Sequence, residues 1–201
     1  LKVQEALVQD LVPYIARYKK NKLLLFYSGG SVLELFPLLY AALIKEGLTQ
    51  LDAWFAPIDD RFVESASIFQ AFAALDCFRG FEHMGIRFLD VLSHGHSLED
   101  CAYWFSEWVR VETDQVHIAD GKVISLFGMG ADGHTAGIFP FPENEAFFKG
   151  EFIDTSRFAV GYDVGEKNPY TERITTTLPA FKTIDRSFSY VLGANKKSAL
   201  D

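Results

Sequence analysis

The feature that most constrains the fold of this chain is a buried strand that runs directly into a glycine-rich turn. The apolar segment from Val123 to Phe127 predicts the strand, and the segment from Gly128 to Pro140 follows it without a break. Three of the first six residues of that second segment are glycines, which let the backbone turn sharply and approach a ligand closely. In an open α/β sheet, ligands bind in the crevice just outside the carboxyl ends of the strands. The sequence therefore places a candidate binding site at this turn.

Two polar residues of this turn form the candidate catalytic pair. Asp132 and His134 lie two residues apart, shortly after the predicted strand. Histidine is the side chain best suited to take up and release protons near neutral pH. A carboxylate beside an imidazole fixes the orientation of its ring. We therefore take His134 as the candidate proton-transfer residue and Asp132 as a candidate partner.

Predicted helices and strands alternate along the chain. Apolar residues at helical spacing predict helices, and short apolar runs predict strands. The helices are predicted at about residues 7–15, 32–43, 67–75 and 98–111, and the strands at 23–27, 53–58, 123–127, 158–162, 174–177 and 188–192. This alternation predicts an α/β fold with a parallel sheet covered on both faces. Pro37 predicts a kink or a late start in the second helix, and residues 140–150 are predicted to form an active-site flap.

Composition and charge restrict the kind of protein. The 201 residues suit one substantial core, so we expect a single domain over residues 1–201, incomplete at both termini. The net charge of −8 argues against a nucleic-acid partner, which needs a basic face, but not against a small anionic ligand. Cys77 and Cys101 form no CxxC pair, and no apolar run approaches the length of a membrane span. We expect no disulfide, no membrane partner and a cytoplasmic location, and we leave a homo-oligomer open.

A second strand-end loop is a candidate anion-binding site. Ser28, Gly29, Gly30 and Ser31 lie between the strand 23–27 and the helix that follows. In that position, backbone amides and serine hydroxyls are available to a phosphate group. The same residues would also suit a tight turn in which Ser31 caps the helix. They match neither the P-loop nor the GxGxxG fingerprint, so the sequence gives little support to nucleotide binding.

Charged residues after other predicted strands would complete the site. Asp59-Asp60-Arg61 is predicted to form a charged turn that shares the crevice with the two glycine-containing loops. Arg173 and Lys196 also lie close to predicted strands, where cations would neutralise a phosphate. His94-Gly95-His96 has no third metal ligand near it in the sequence, so we predict a surface loop there and no metal site.

Three segments together resemble the 6-phosphogluconolactonase family, the sister of the glucosamine-6-phosphate deaminases. They are the glycine-rich segment 128–140, the segment from Arg173 to Ala180 (RITTTLPA), and Gly193-Ala194-Asn195-Lys196, and the resemblance extends from Leu23 to Leu200. It implies a three-layer α/β/α sandwich with a modified Rossmann-type, mostly parallel sheet. It also implies hydrolysis of 6-phosphoglucono-1,5-lactone, a small-molecule sugar-phosphate substrate, in the pentose phosphate pathway without a cofactor.

The candidate residues then have expected roles. His134 is expected to act as general base on the attacking water, with its ring oriented by Asp132 or Asp59. Arg61 or amides of the glycine-rich turn are expected to stabilise the negative charge that develops on the carbonyl oxygen. The phosphate is expected to bind Ser28, Gly29, Gly30, Ser31, Arg173 and Lys196.

Several positions depart from the family pattern. Val32 and Leu33 stand where the family usually has Thr-Pro, Asp60 stands in place of Glu, and Ile68 stands in place of Asn. We expect these changes to affect phosphate affinity and efficiency more than the reaction class. A sugar-phosphate sensor that binds without turnover therefore stays an alternative.

Phe139 distinguishes the lactonase from the deaminase alternative. The deaminases carry a glutamate five residues after the histidine, and that carboxylate supports acid–base work on the sugar ring oxygen. Phe139 occupies this position and can neither accept a hydrogen bond nor move a proton. Glu143 and Glu145 follow, but the prolines between them and Phe139 constrain their approach. The sequence therefore favours lactone hydrolysis over ring opening and deamination of glucosamine 6-phosphate.

Overall fold

The structure is a computed structural model, and it describes residues 3–200. Its α-helices are α1 (Val3–Arg17), α2 (Phe36–Lys45), α3 (Ile68–Ala73), α4 (Phe78–His83), α5 (Leu98–Ile118), α6 (Glu145–Phe148), α7 (Leu178–Phe181) and α8 (Lys197–Leu200). Its strands are β1 (Leu23–Tyr27), β2 (Ala53–Pro57), β3 (Asp59–Arg61), β4 (Ile86–Phe88), β5 (Lys122–Phe127), β6 (Ala159–Asp163), β7 (Glu172–Thr176) and β8 (Arg186–Ser189).

A parallel sheet forms the centre of the molecule. Its five strands follow the order β4-β2-β1-β5-β8, and Leu23 of β1 lies between Ala53 of β2 and Lys122 of β5. Side chains alternate between the two faces of a strand. The odd-numbered residues of β1 pack in a core with α1 to α4, and its even-numbered residues pack in a core with α5. Helices thus cover both faces, and the predicted α/β/α sandwich with a mostly parallel sheet is confirmed.

A second sheet corrects part of the predicted topology. β3, β7 and β6 form an antiparallel sheet in the order β3-β7-β6, with Asp59 opposite Thr175 and Arg61 opposite Arg173. The strands predicted at 158–162 and 174–177 therefore belong to this small sheet and not to the parallel one. The segment 59–61, predicted as a charged turn, is a strand, because its backbone pairs with β7.

Several element boundaries differ from the prediction. Residues 30–35 form a 3-10 helix, and α2 begins only at Phe36, so Pro37 lies in its first turn; the late start is confirmed, and the kink is not. α5 runs to Ile118, seven residues beyond the expected end at 111, and β4 was not predicted. The segment 140–150, predicted to form an active-site flap, is not all loop, because the Asn144 side chain accepts from the Phe147 amide and caps α6.

Cys77 and Cys101 are both buried free thiols, so they form no disulfide, as predicted. In the range 3–200, no helix combines the length and the apolar character needed to cross a membrane.

Candidate active site

A cleft of about 220 Å³ opens where β1 and β5 end and where the small sheet begins. Nine of the predicted site residues line this cleft: Ser28, Gly29, Gly30, Ser31, Asp59, Arg61, His134, Arg173 and Lys196. Asp132 does not line it but contacts His134 from outside. The structure also brings residues to the cleft that sequence reasoning missed, among them Thr135 and Asn168.

The loop after β1 differs locally from the expected helix start. Gly29 precedes a 3-10 helix over Gly30–Leu35, and no side chain caps it, so the alternative in which Ser31 is the cap is wrong. A Cβ atom on Gly29 would lie 2.8 Å from Ile68 Cγ1, and Gly30 has a φ of +63°. Both positions therefore favour glycine, one for space and one for backbone conformation. The Ser28 hydroxyl oxygen is buried and has no hydrogen-bond partner within residues 3–200.

His134 and Asp132 form a hydrogen-bonded pair within the glycine-rich turn. His134 Nδ1 lies 2.6 Å from Asp132 Oδ1, and the His134 backbone amide donates to the same oxygen at 3.3 Å. Partial burial raises the pKa of Asp132, but the hydrogen bonds from His134 outweigh it, and the pKa is lowered overall. A carboxylate at Nδ1 favours the tautomer that leaves Nε2 as the free acceptor. A side chain on Gly130 would overlap both residues.

Phe139 supports the imidazole from behind. Its ring is fully buried and stacks on His134 with a centroid distance of 4.2 Å and an interplanar angle of 16°. The guanidinium of Arg173 lies over the same phenyl ring, 5.0 Å from its centroid. One buried aromatic ring therefore positions two of the predicted site residues.

Buried hydroxyl groups hold the backbone of this turn. The Thr175 hydroxyl donates to the Ala136 carbonyl, and the Tyr162 hydroxyl donates to the Gly137 carbonyl. Tyr162 also accepts from the Phe139 amide at 3.2 Å, and burial raises the pKa of Tyr162, which keeps its phenol protonated. Ala136 has a φ of +48°, a conformation that a residue with a side chain rarely adopts. The surrounding hydrogen bonds offset this local strain.

Asp59 pairs with Arg173 and does not contact His134. Arg173 Nη1 lies 3.4 Å from Asp59 Oδ2, and both side chains are almost completely buried. Burial raises the pKa of Asp59 to about 6, although the Arg173 charge acts in the opposite direction. Of the two carboxylates considered as partners of the histidine, Asp132 is the one in contact with it.

The other charged residues lie around the rim. Arg61 Nη1 donates to the Ala66 carbonyl at 3.1 Å, and its guanidinium lies over the Tyr170 ring at 4.7 Å. Lys196 Nζ donates to the Met129 carbonyl, so the segment 193–196 contacts the glycine-rich turn. Asp60 is not among the residues that line the cleft. Its carboxylate accepts from Ser67 Oγ at 2.8 Å, and burial raises its pKa to about 6.

The histidines of the predicted surface loop lie elsewhere. His94 stacks on Trp104 at a centroid distance of 3.5 Å, outside the cleft. Among the described residues, no three His, Cys, Asp or Glu side chains are grouped to hold a metal ion.

The fold and the cleft together define a class of protein. Two glycine-containing loops after strands of the parallel sheet, two arginines from the antiparallel sheet, a lysine and the histidine that Asp132 contacts all line one small, open cleft. Such a site suits a small anionic ligand and proton transfer.

The family follows from comparison with known proteins. The family model for glucosamine-6-phosphate isomerases/6-phosphogluconolactonase matches residues 2–201, and the chain belongs to this family of enzymes. A probable 6-phosphogluconolactonase of Drosophila melanogaster is 29% identical over 211 residues, covering 98% of this chain and 78% of that protein.

Solved structures share the fold at low sequence identity. A 6-phosphogluconolactonase from Thermotoga maritima is similar with a TM-score of 0.68 and 21% identity, covering 96% of this chain and 83% of that one. A 6-phosphogluconolactonase from Plasmodium vivax is similar with a TM-score of 0.71 and 14% identity, covering 98% of this chain and 75% of that one. A monomeric glucosamine-6-phosphate deaminase is similar with a TM-score of 0.63 and 16% identity, covering 100% of this chain and 83% of that one.

Removing the Tyr162 hydroxyl tests whether it anchors the turn. Tyr162→Phe leaves the buried Gly137 carbonyl and Phe139 amide without this partner. We expect the free energy of unfolding to fall by about 1–3 kcal/mol, as for other unsatisfied buried polar groups. Urea denaturation measures it, with Tyr103→Phe as the matched control because that side chain is 63% exposed. Equal stability of the two variants would show that the hydroxyl is not an anchor.

Proposed function

We propose that this protein hydrolyses 6-phosphoglucono-1,5-lactone to 6-phosphogluconate. The observation that carries the proposal is the His134–Asp132 pair, with Nδ1 held by the carboxylate and the ring in the cleft. The name of the Drosophila melanogaster relative supports the same activity. The proposal extends to a cytoplasmic enzyme of the pentose phosphate pathway that takes a free small-molecule substrate and binds neither nucleic acid nor membrane.

The hydrolysis needs one general base and no nucleophilic side chain. His134 Nε2 takes a proton from water while the water oxygen attacks the lactone carbonyl carbon. Arg61 or the amides of the glycine-rich turn stabilise the negative charge on the carbonyl oxygen. When the tetrahedral intermediate collapses, the bond between this carbon and the ring oxygen breaks, and the imidazolium returns a proton to that oxygen. Asp132 keeps the ring in the required tautomer throughout.

The loop after β1 is proposed to bind the phosphate. The amides of Gly29, Gly30 and Ser31 lie at the start of the 3-10 helix, and the buried Ser28 hydroxyl is close in sequence. Lys196 and Arg173 line the same cleft and bring positive charge. Charge-assisted hydrogen bonds of this kind are roughly twice as strong as neutral ones. They offset the repulsion that a protein of net charge −8 exerts on an anion.

The deaminase alternative lacks a carboxylate in the required place. Phe139 fills the space behind the His134 ring, so no proton acceptor stands there. The two nearby glutamates are engaged elsewhere: Glu143 pairs with Lys167 at 2.5 Å, and Glu145 pairs with Lys149 at 2.7 Å. The likeness to a deaminase structure is one of fold alone. These contacts favour the lactone as substrate.

Replacing the histidine tests the general base. His134→Asn is expected to lower kcat by about 10²–10⁴-fold, the usual contribution of a positioned acid–base group. KM should stay within a few-fold, because the phosphate-binding groups are untouched. The control is His83→Asn, an exposed histidine on α4. Lactone hydrolysis above the spontaneous background measures both variants, and near-native turnover by His134→Asn would refute the assignment.

Parallel assays of the two sugar phosphates test the substrate class. We expect the wild-type enzyme to hydrolyse 6-phosphogluconolactone and to release no ammonia from glucosamine 6-phosphate above the blank. The physical reason is that Phe139 cannot exchange a proton with a ring oxygen. Ammonia release at a rate comparable to lactone hydrolysis would overturn the proposal, and binding of both compounds without turnover would identify a sensor.

A further inference from the structure

Arg173 is held on three sides. Its Nη1 faces Asp59 Oδ2 at 3.4 Å, its Nη2 donates to Asn168 Oδ1 at 3.2 Å, and its guanidinium lies over the Phe139 ring. The side chain is buried but lines the cleft, and Nε has no partner in the part of the chain that the structure describes. A guanidinium has five N–H donors, and the contacts with Asp59 and Asn168 use one on each η nitrogen. Because Arg173 lines the cleft, a second N–H on an η nitrogen is left for a ligand.

Asn168 has a defined amide orientation. Its Oδ1 accepts from Arg173 Nη2 at 3.2 Å and from the Tyr170 amide at 3.0 Å. Both partners are donors only, so the oxygen of the carboxamide must face them. Asn168 is also one of the residues that line the cleft.

The loop that carries Asn168 is tied down at both ends and in its middle. The Val164 amide donates to the Thr171 carbonyl at 2.8 Å, which closes the loop. Lys167 pairs with Glu143 at 2.5 Å, and Tyr170 lies under the Arg61 guanidinium. The loop therefore presents Asn168 to Arg173 from a fixed position.

The neutrality of Asn168 matters for the charge of this cluster. Arg173 already faces one carboxylate, Asp59, so their formal charges sum to zero. A second carboxylate on the other η nitrogen would make the group negative and would repel a phosphate. A carboxamide oxygen orients the guanidinium without adding charge.

We propose that Asn168 is a positioning residue that aims Arg173 at the anionic substrate without neutralising it. The inference rests on the proposed function in one respect, namely that the ligand is a sugar phosphate. Loss of Asn168 should weaken ligand binding and leave the chemistry at His134 unchanged, because the carboxylate hydrogen-bonded to the His134 ring is that of Asp132.

Two substitutions separate orientation from charge. Asn168→Ala removes the acceptor oxygen, and Asn168→Asp keeps an acceptor but adds a negative charge. We expect Asn168→Ala to raise the Kd for 6-phosphogluconate and the KM for the lactone by about 10- to 100-fold, the range for a lost hydrogen bond to a charged group. kcat should stay within about threefold of wild type. Asn168→Asp should bind at least tenfold more weakly than wild type. Calorimetric titration with 6-phosphogluconate and lactonase kinetics supply the readouts.

Asn21→Ala and Asn21→Asp are the matched controls. Asn21 lies just before the amino-terminal end of β1, whereas the cleft lies after its carboxyl end, and its side chain donates to the Ala119 carbonyl. Binding by Asn168→Ala within twofold of wild type overturns the inference. So does a fall in kcat and melting temperature with KM unchanged, which would indicate structural support alone. Wild-type affinity in Asn168→Asp would show that neutrality is irrelevant.

The design keeps the two proposals apart. If the wild type binds 6-phosphogluconate but does not hydrolyse the lactone, the proposed function fails, and binding by the variants still decides the role of Asn168. If the wild type hydrolyses the lactone and Asn168→Ala behaves like it, only the inference about Asn168 fails. If the wild type neither binds 6-phosphogluconate nor hydrolyses the lactone, both fail.

Discussion

A single buried residue joins the two sheets, and the geometry of the cleft depends on it. Ile58 separates β2 of the parallel sheet from β3 of the antiparallel sheet. Its amide donates to the Tyr27 carbonyl at 2.9 Å, and its carbonyl accepts from the Thr176 amide at 3.1 Å. The chain therefore changes sheets within one residue, directly beside the loop that follows β1. This crossing brings Asp59 and Arg61 to the cleft, and the pairing of β7 with β3 brings Arg173 to it as well.

The net charge of the molecule and the charge of its cleft have opposite signs. The chain carries −8 overall, yet Arg61, Arg173 and Lys196 all line the cleft. Local positive charge determines the attraction of a small anion once it is close. Asp59 moderates this charge and fixes Arg173 in a buried position, where removing one partner typically costs about 3–5 kcal/mol. The buried pair is thus a constraint on structure as well as on charge.

Local patterns were sufficient to predict much of the fold and of the candidate site. The apolar run and glycines around β5 gave the strand, the turn and the position of His134 and Asp132. The antiparallel sheet was not predictable in the same way, because β3 has three residues, all of them charged, and Asp59 meets an arginine 114 positions away. Asn168 lies in a loop that matches no motif, and only the tertiary structure shows that it faces Arg173. Long-range pairing and loop placement carry no local signal, whereas strand-end turns do.

The central claim is that one cleft holds the phosphate at the loop after β1 and the reacting carbon at His134. A crystal structure with 6-phosphogluconate bound tests it most directly. The account predicts the phosphate on the amides of Gly29, Gly30 and Ser31, within reach of Lys196 and Arg173, and the carboxylate carbon next to His134 Nε2. A sugar phosphate bound in the reverse direction, or bound elsewhere with this cleft empty, would contradict the account.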